Sequence, residues 1–187
     1  MLAIGLPGAG KSTYFARKGI VPLASDLIRE LLYDNSGDQR HPEWVFALLR
    51  DLLRRRLEAG AQTTYIDATN LTRYFRRSFL QIAREFGCDA EALYFDVPLE
   101  VCLERNRNRQ KVGAASGATS ALEPDARIVP EEVMRRMARR LEPPTKEEGF
   151  SRIVIVHPNA PKTDAPRGPL HAMRSRAKKS HSRAKPS

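Results

Sequence analysis

Residues 5 to 13 read Gly5-Leu6-Pro7-Gly8-Ala9-Gly10-Lys11-Ser12-Thr13, and this stretch limits the possible folds more than any other. Its spacing is G-x-x-x-x-G-K-[ST], which builds a phosphate-binding loop when a strand leads in and a helix leads out. The apolar run Leu2-Ala3-Ile4 supplies the strand, and Lys11 to Lys18, without Gly or Pro, supplies the helix. In such a loop Gly5, Gly8, Ala9, Gly10, Lys11, Ser12 and Thr13 wrap phosphate oxygens. A side chain at Gly8 or Gly10 would fill that space or resist a positive φ. Lys11 offers a point charge to the β- and γ-phosphates, and Ser12 offers a hydroxyl oxygen to Mg²⁺. The helix N-terminus adds its amides and dipole.

Strands and helices alternate from there. Ile20 to Ala24 reads as a second strand, and Asp26 opens a helix to about Tyr33. Asp34 to Asp38 is a loop by composition. Glu43 to Ala59 repeats Val45, Leu48, Leu49, Leu52, Leu53 and Leu57 at helical spacing and stops at Gly60. Thr63 to Ile66 is a third strand, ending in Asp67. Thr72 caps a helix from Arg73 to Phe86, with Phe75, Phe79, Ile82, Ala83 and Phe86 on one face. Glu91 to Val97 is a fourth strand, followed by a helix from Leu99 to about Arg107. Gln110 to Val129 is rich in small residues, lacks an apolar period and reads as a mobile loop. Pro130 starts another helix, with Glu131 and Glu132 in its first turn and Met134, Met137, Ala138 and Leu141 as its buried stripe. Arg152 to Val156 is a fifth strand, branched and apolar as in a strand covered on both faces.

This alternation predicts an α/β fold: a doubly wound, mainly parallel five-stranded sheet of the P-loop NTPase, nucleotide-kinase-like type, with a mobile lid at about 105–130. Ligands in such sheets sit at the carboxyl ends of the strands. The P-loop, Asp26 and Asp67 each follow a strand directly, so one sheet edge gathers all three.

Composition divides the chain in two. Residues 157–187 hold eight Lys/Arg against the single acid Asp164, whereas the first 156 hold 24 against 21. The expected organisation is a kinase-sized domain over 1–156 and a disordered basic tail over 157–187. Eight cations suit a phosphate backbone, although a solubilising extension has the same composition. No run is long and apolar enough to span a membrane, and no signal peptide is evident. Cys88 and Cys102 make neither a metal framework nor a disulfide scaffold, which suggests a reduced, cytoplasmic setting.

A P-loop implies a nucleotide rather than a reaction. A GTPase needs N/T-K-x-D after a late strand, and Thr145-Lys146-Glu147-Glu148 lacks the Asp. A motor would need more chain, whereas small kinases are this size. A kinase acting on a hydroxyl needs a base, charge neutralisation and a grip on the acceptor. Asp26 stands where the base belongs, with Arg29 three residues on along the same helical face. The bland alternative is an N-cap Asp with a surface Arg. Arg76 and Arg77 read as a surface pair, and the lone Trp44 reads as core.

The series G-x-P-G-x-G-K-S-T, Asp26-Leu27-Ile28-Arg29, Asp67-Ala68-Thr69-Asn70, Arg105-Asn106-x-x-Arg109 and Val129-Pro130-Glu131-Glu132-Val133 resembles the kinase domain of polynucleotide 5′-hydroxyl kinases. Relatives that phosphorylate aminoacyl-tRNA or small molecules share it. The resemblance implies ATP and Mg²⁺ as cofactors and a nucleic-acid 5′-OH as acceptor. Asp26 would be the general base and Arg29 the holder of an acceptor phosphate. Asp67, Thr69 and Asn70 would line the acceptor side. Arg109 and Arg105 would lie in a lid over the ATP phosphates. Two alternatives stay open: Asp67 as a Walker-B-like support for Mg²⁺, and Arg105, Arg107 and Arg109 as a solvated basic helix end. The runner-up function is a P-loop kinase for a small-molecule alcohol or another RNA-borne hydroxyl, and the third is a nucleotide-binding regulator without transfer.

Overall fold

A computed structural model describes residues 1–116 and 128–157 of the chain. Five strands, β1 (Leu2–Ile4), β2 (Leu23–Ala24), β3 (Ile66–Asp67), β4 (Glu91–Phe95) and β5 (Arg152–Val156), form one sheet in the order β2-β3-β1-β4-β5. All its pairings are parallel. The helices are α1 (Lys11–Arg17), α2 (Ser25–Tyr33), α3 (Pro42–Glu58), α4 (Arg73–Glu85), α5 (Leu99–Ser116) and α6 (Glu131–Arg140), with a 3₁₀ turn at Lys146–Glu148. The doubly wound sheet read from the alternation is the one found.

Period-two alternation in the short central strands feeds two cores. Leu2, Ile4, Ile66 and Ala92 pack with Ile28, Val45, Leu49, Leu53, Phe79 and Ile82. Ala3, Leu93 and Phe95 pack on the other face with Phe15, Cys102, Leu103, Val129 and Met134. Register aligns the functional ends: Ala24 and Ala3 both pair with Asp67. Gly5 therefore starts the P-loop on one side of Asp67, while Asp26 follows β2 on the other. Neighbouring strands lie about 4.8 Å apart, so the P-loop and Asp26 flank a gap of roughly two strand spacings.

Several expectations change. Trp44 is 53 % exposed, because the buried stripe of α3 is Val45, Leu49 and Leu53 and Trp44 lies a hundred degrees off it. Its ring stacks on His41, with centroids 4.0 Å apart. The strand β5 is not covered on both faces: it is an edge strand, and Ile155 is exposed. The helix after β4 does not stop near Arg107 but continues to Ser116, because Lys111 to Ser116 contains no proline and only one glycine. Arg76 is not at the surface. It is wholly buried, and its Nε and Nη2 donate to Glu148 at 2.7 Å each. Its Nη1 donates to the carbonyls of Asn70, Leu71 and Glu142. The signal was available, since Arg76 shares a stripe with Phe79, Leu80 and Ala83 at helical spacing. Residues 117–127 of the lid expected at about 105–130, and the tail beyond His157, lie outside the described residues.

Candidate active site

The P-loop leaves β1 with positive φ at Gly8 (81°) and Gly10 (94°), which L side chains resist. Gly10 sits immediately before α1. Gly8 has a second constraint that the motif alone does not reveal: a Cβ there would lie 2.7 Å from the carbonyl oxygen of Cys102. The loop is thus pressed against α5. Arg105 on that helix donates from Nη1 to the Gly8 carbonyl at 3.2 Å. Lys11 is buried and donates from Nζ to the carbonyls of Gly5 (2.9 Å) and Leu6 (2.8 Å). Those bonds fold its chain over the loop.

Ser12 Oγ donates to Asp67 Oδ2 at 3.1 Å. Burial pushes the Asp67 carboxyl above its usual range; Lys11 opposes the rise, Asp26 adds to it, and the Ser12 hydrogen bond opposes it. A hydroxyl beside a buried carboxylate at the phosphate loop suits Mg²⁺, which keeps several waters and takes few protein ligands. That donor set fits the Walker-B-like alternative for Asp67. Among the described residues no group of three His, Cys, Asp or Glu side chains forms a metal cage.

Asp26 is not a helix cap. Ala24 holds the N-cap position of α2, and Asp26 lies in its first turn with its side chain 39 % exposed. Arg29 is buried and donates from Nη1 to Asp26 Oδ1 at 3.2 Å; Ser25 Oγ donates to the same oxygen at 3.3 Å. In the loop after α2, Arg40 lies over the Tyr33 ring at 5.1 Å, and its hydrogen bonds hold the Asp38 carboxyl low, with a small further contribution from Arg29.

The remaining candidates divide. Thr69 meets the P-loop through its backbone, its carbonyl accepting from Gly5 N–H at 3.1 Å. Asn70 is 1 % exposed, adopts φ 47°, and donates from Nδ2 to the Ala3 carbonyl at 2.8 Å. It ties the loop after β3 to β1 instead of lining an open acceptor surface. Arg109 is half-buried and near enough to Cys102 to act on its thiol, as Arg105 does. Arg107 points away, pairing with Glu131. Asn106 was quoted in the motif without a role. Its Nδ2 donates to the Val129 carbonyl at 2.7 Å and its Oδ1 accepts from Val129 N–H at 3.0 Å. It ties Val129, just before α6, to α5, and its spacing from Cys102 and Leu103 was the sign of burial.

Known proteins fit this architecture. The chain is 27 % identical over 164 residues to "Transcription factor bHLH140" of Arabidopsis thaliana, covering 86 % of this chain and 16 % of that protein. It is 30 % identical over 122 residues to the L-seryl-tRNA(Sec) kinase of Methanococcus maripaludis, covering 60 % of this chain and 47 % of that enzyme. It therefore spans less than half the length of either relative. Among solved structures, Chaetomium thermophilum Kti12 in complex with ADP-AlF3 superposes with a TM-score of 0.61 at 14 % identity, covering 86 % of this chain and 90 % of that one. Mycobacterium tuberculosis APS kinase CysC in complex with AMPPNP and APS gives 0.50 at 17 % identity, covering 86 % and 88 %. These two likenesses are of fold. A family model described as an AAA domain matches residues 1–144, and the chain belongs to that family, with a P-loop fold of the kinase-like type.

Proposed function

We propose that this protein is an ATP-dependent kinase that moves the γ-phosphoryl group of ATP to an alcohol carried on nucleic acid, the 5′-hydroxyl end of RNA or DNA. One observation carries the reading: Asp26, paired with Arg29, stands across Asp67 from the P-loop, two strand spacings from it. That gap suits an alcohol aimed at a terminal phosphate. ATP as donor is in keeping with the nucleotide analogues named in the Kti12 and APS kinase structures.

In this reading the acceptor oxygen attacks the γ-phosphorus while its proton passes to the Asp26 carboxylate. The bond from the γ-phosphorus to the bridging oxygen breaks, and ADP leaves. Arg29 grips a phosphate of the acceptor strand. Lys11, Arg105 and Arg109 balance charge on the transferring group; such an arginine contributes about 10³–10⁵ in rate in related chemistry. Ser12, with Asp67 behind it, would hold Mg²⁺, which when bound would supply charge neutralisation to the phosphates. The second reading, a different RNA-borne hydroxyl, is favoured by the 30 % identity to an L-seryl-tRNA(Sec) kinase.

The test offers ATP labelled at the γ-phosphate with 5′-OH and 5′-phosphate oligonucleotides, seryl-tRNA and a panel of nucleosides. Label on 5′-OH ends alone supports the first reading. Label on the seryl group moves the acceptor to the second, and label on no acceptor overturns the kinase. Asp26→Asn should slow transfer by about 10²–10⁴ while ATP still binds; transfer at the unmodified rate would remove Asp26 as the base.

A further inference from the structure

The start of α4 and the end of α6 enclose an open cavity of about 430 Å³, lined by Tyr74, Phe75, Arg139, Arg140, Leu141 and Glu142. Its place in the fold is fixed by backbone contacts. Glu142 N–H donates to the Leu71 carbonyl at 2.9 Å, and Leu71 lies four residues past Asp67. The cavity therefore lies beside the loop that follows β3, where that loop meets the end of α6.

Its lining has two kinds of side chain. Tyr74 is 80 % exposed and Phe75 39 % exposed, and their rings meet edge to face at 5.7 Å. Phe75 is backed by Phe46 of α3, stacked at 5.8 Å with 21° between the planes. The ring pair is thus braced by α3 on one side and leaves the Tyr74 ring open to solvent. Opposite it, Arg139 and Arg140 are both exposed, Arg139 with Nη2 in a solvent-exposed pair 3.9 Å from Glu132. The one acid, Glu142, is engaged, its Oε2 accepting from the Arg73 N–H at 2.9 Å in the first turn of α4. Aromatic faces interleaved with guanidinium groups match single-stranded nucleic acid: bases stack on the rings, and phosphates meet the cations.

We propose that this groove carries the single strand leading away from the reacting hydroxyl, with one base on Tyr74–Phe75 and phosphates on Arg139 and Arg140. The proposal rests on the nucleic-acid reading of the acceptor. The experiment measures fluorescence anisotropy of a 3′-labelled single-stranded 5′-OH oligonucleotide with the full chain, across a salt series. Tyr74→Ala should weaken binding about tenfold, as for loss of one stacked base, and Tyr74→Trp should restore it. Arg140→Gln should lower the slope of log affinity against log salt by about 0.7. Both positions are exposed, and matching melting curves check the fold. Affinities within twofold of the unmodified protein in both variants overturn the groove, as does equal binding of blunt duplex. The label-transfer assay separates the two claims. Tyr74-dependent binding without transfer to 5′-OH ends keeps the groove and removes the reaction. Transfer to 5′-OH ends with binding indifferent to Tyr74 and Arg140 does the reverse.

Discussion

Asp67 sits under conflicting demands. The sheet buries it, and burial raises its carboxyl pKa; the phosphate site wants it charged beside Ser12. A carboxyl whose pKa is raised on folding destabilises the fold at pH values above that pKa, and the cost fades as pH falls through it. Asp67→Asn should therefore raise the melting midpoint at pH 7, by roughly 2–4 °C for each kcal/mol relieved. Asn keeps an oxygen to accept from Ser12. The gain over the unmodified protein should shrink as the pH is lowered towards the carboxylate range. The same variant should be stabilised less by Mg·ATP, because its metal-side charge is gone. Thermal melts at several pH values, with and without Mg·ATP, check this; a lower midpoint at pH 7 would mean that Lys11 and Ser12 outweigh desolvation. The proposed catalytic pair was legible in the sequence because Asp26 and Arg29 are close in it. The Asp67–Ser12 bond spans 55 residues, and the sequence alone offered two equal roles for that carboxylate.

At the scale of elements, Arg76 is the rivet between α4, the loop after β3 and the 3₁₀ turn. Arg76→Met should cost about 3–5 kcal/mol, since it leaves Glu148, with a side chain 5 % exposed, balanced by the 4.0 Å approach of Arg73 Nε in place of two close bonds from Arg76. It also strips a donor from three carbonyls. Adding Glu148→Gln removes the weakly compensated buried charge while keeping an oxygen to accept from the Thr145 N–H, as Glu148 does at 3.0 Å. The double variant should be more stable than Arg76→Met alone, although each change is destabilising by itself. Urea melts of all four proteins decide it; strictly additive losses would show that the ion pair is not the source. The reading of Arg76 as surface came from residue type overriding periodicity, and Asn106 escaped notice as well. Arg76 lies on the apolar stripe of Phe79 and Ala83, whereas Asn106 lies beside Cys102 and Leu103 on a helix for which the sequence reading offers no buried stripe. The strand β5 erred in the other direction: its apolar run gave no hint that it ends the sheet, because strand order is a tertiary property.

Across the whole molecule, charge is segregated along the sequence. The first 156 residues are nearly balanced, and the remainder carries eight cations and one acid. Helical and strand periods made the domain legible, but no period exists beyond Val156 for a reader to use. Composition there supports only an electrostatic proposal: residues 158–187 add sequence-independent affinity for a nucleic-acid acceptor. A chain ending at His157 should then bind single-stranded oligonucleotide more weakly at low salt. Its slope of log affinity against log salt should be shallower by about 0.7 for each tail cation that had engaged a phosphate. The groove between α4 and α6 makes a different prediction, since its stacking part is insensitive to salt and survives truncation. A slope changed by less than one contact's worth would assign the tail no part in binding, and all the affinity would then fall to the domain, whose near-neutral charge would leave Tyr74 and Phe75 to supply most of it.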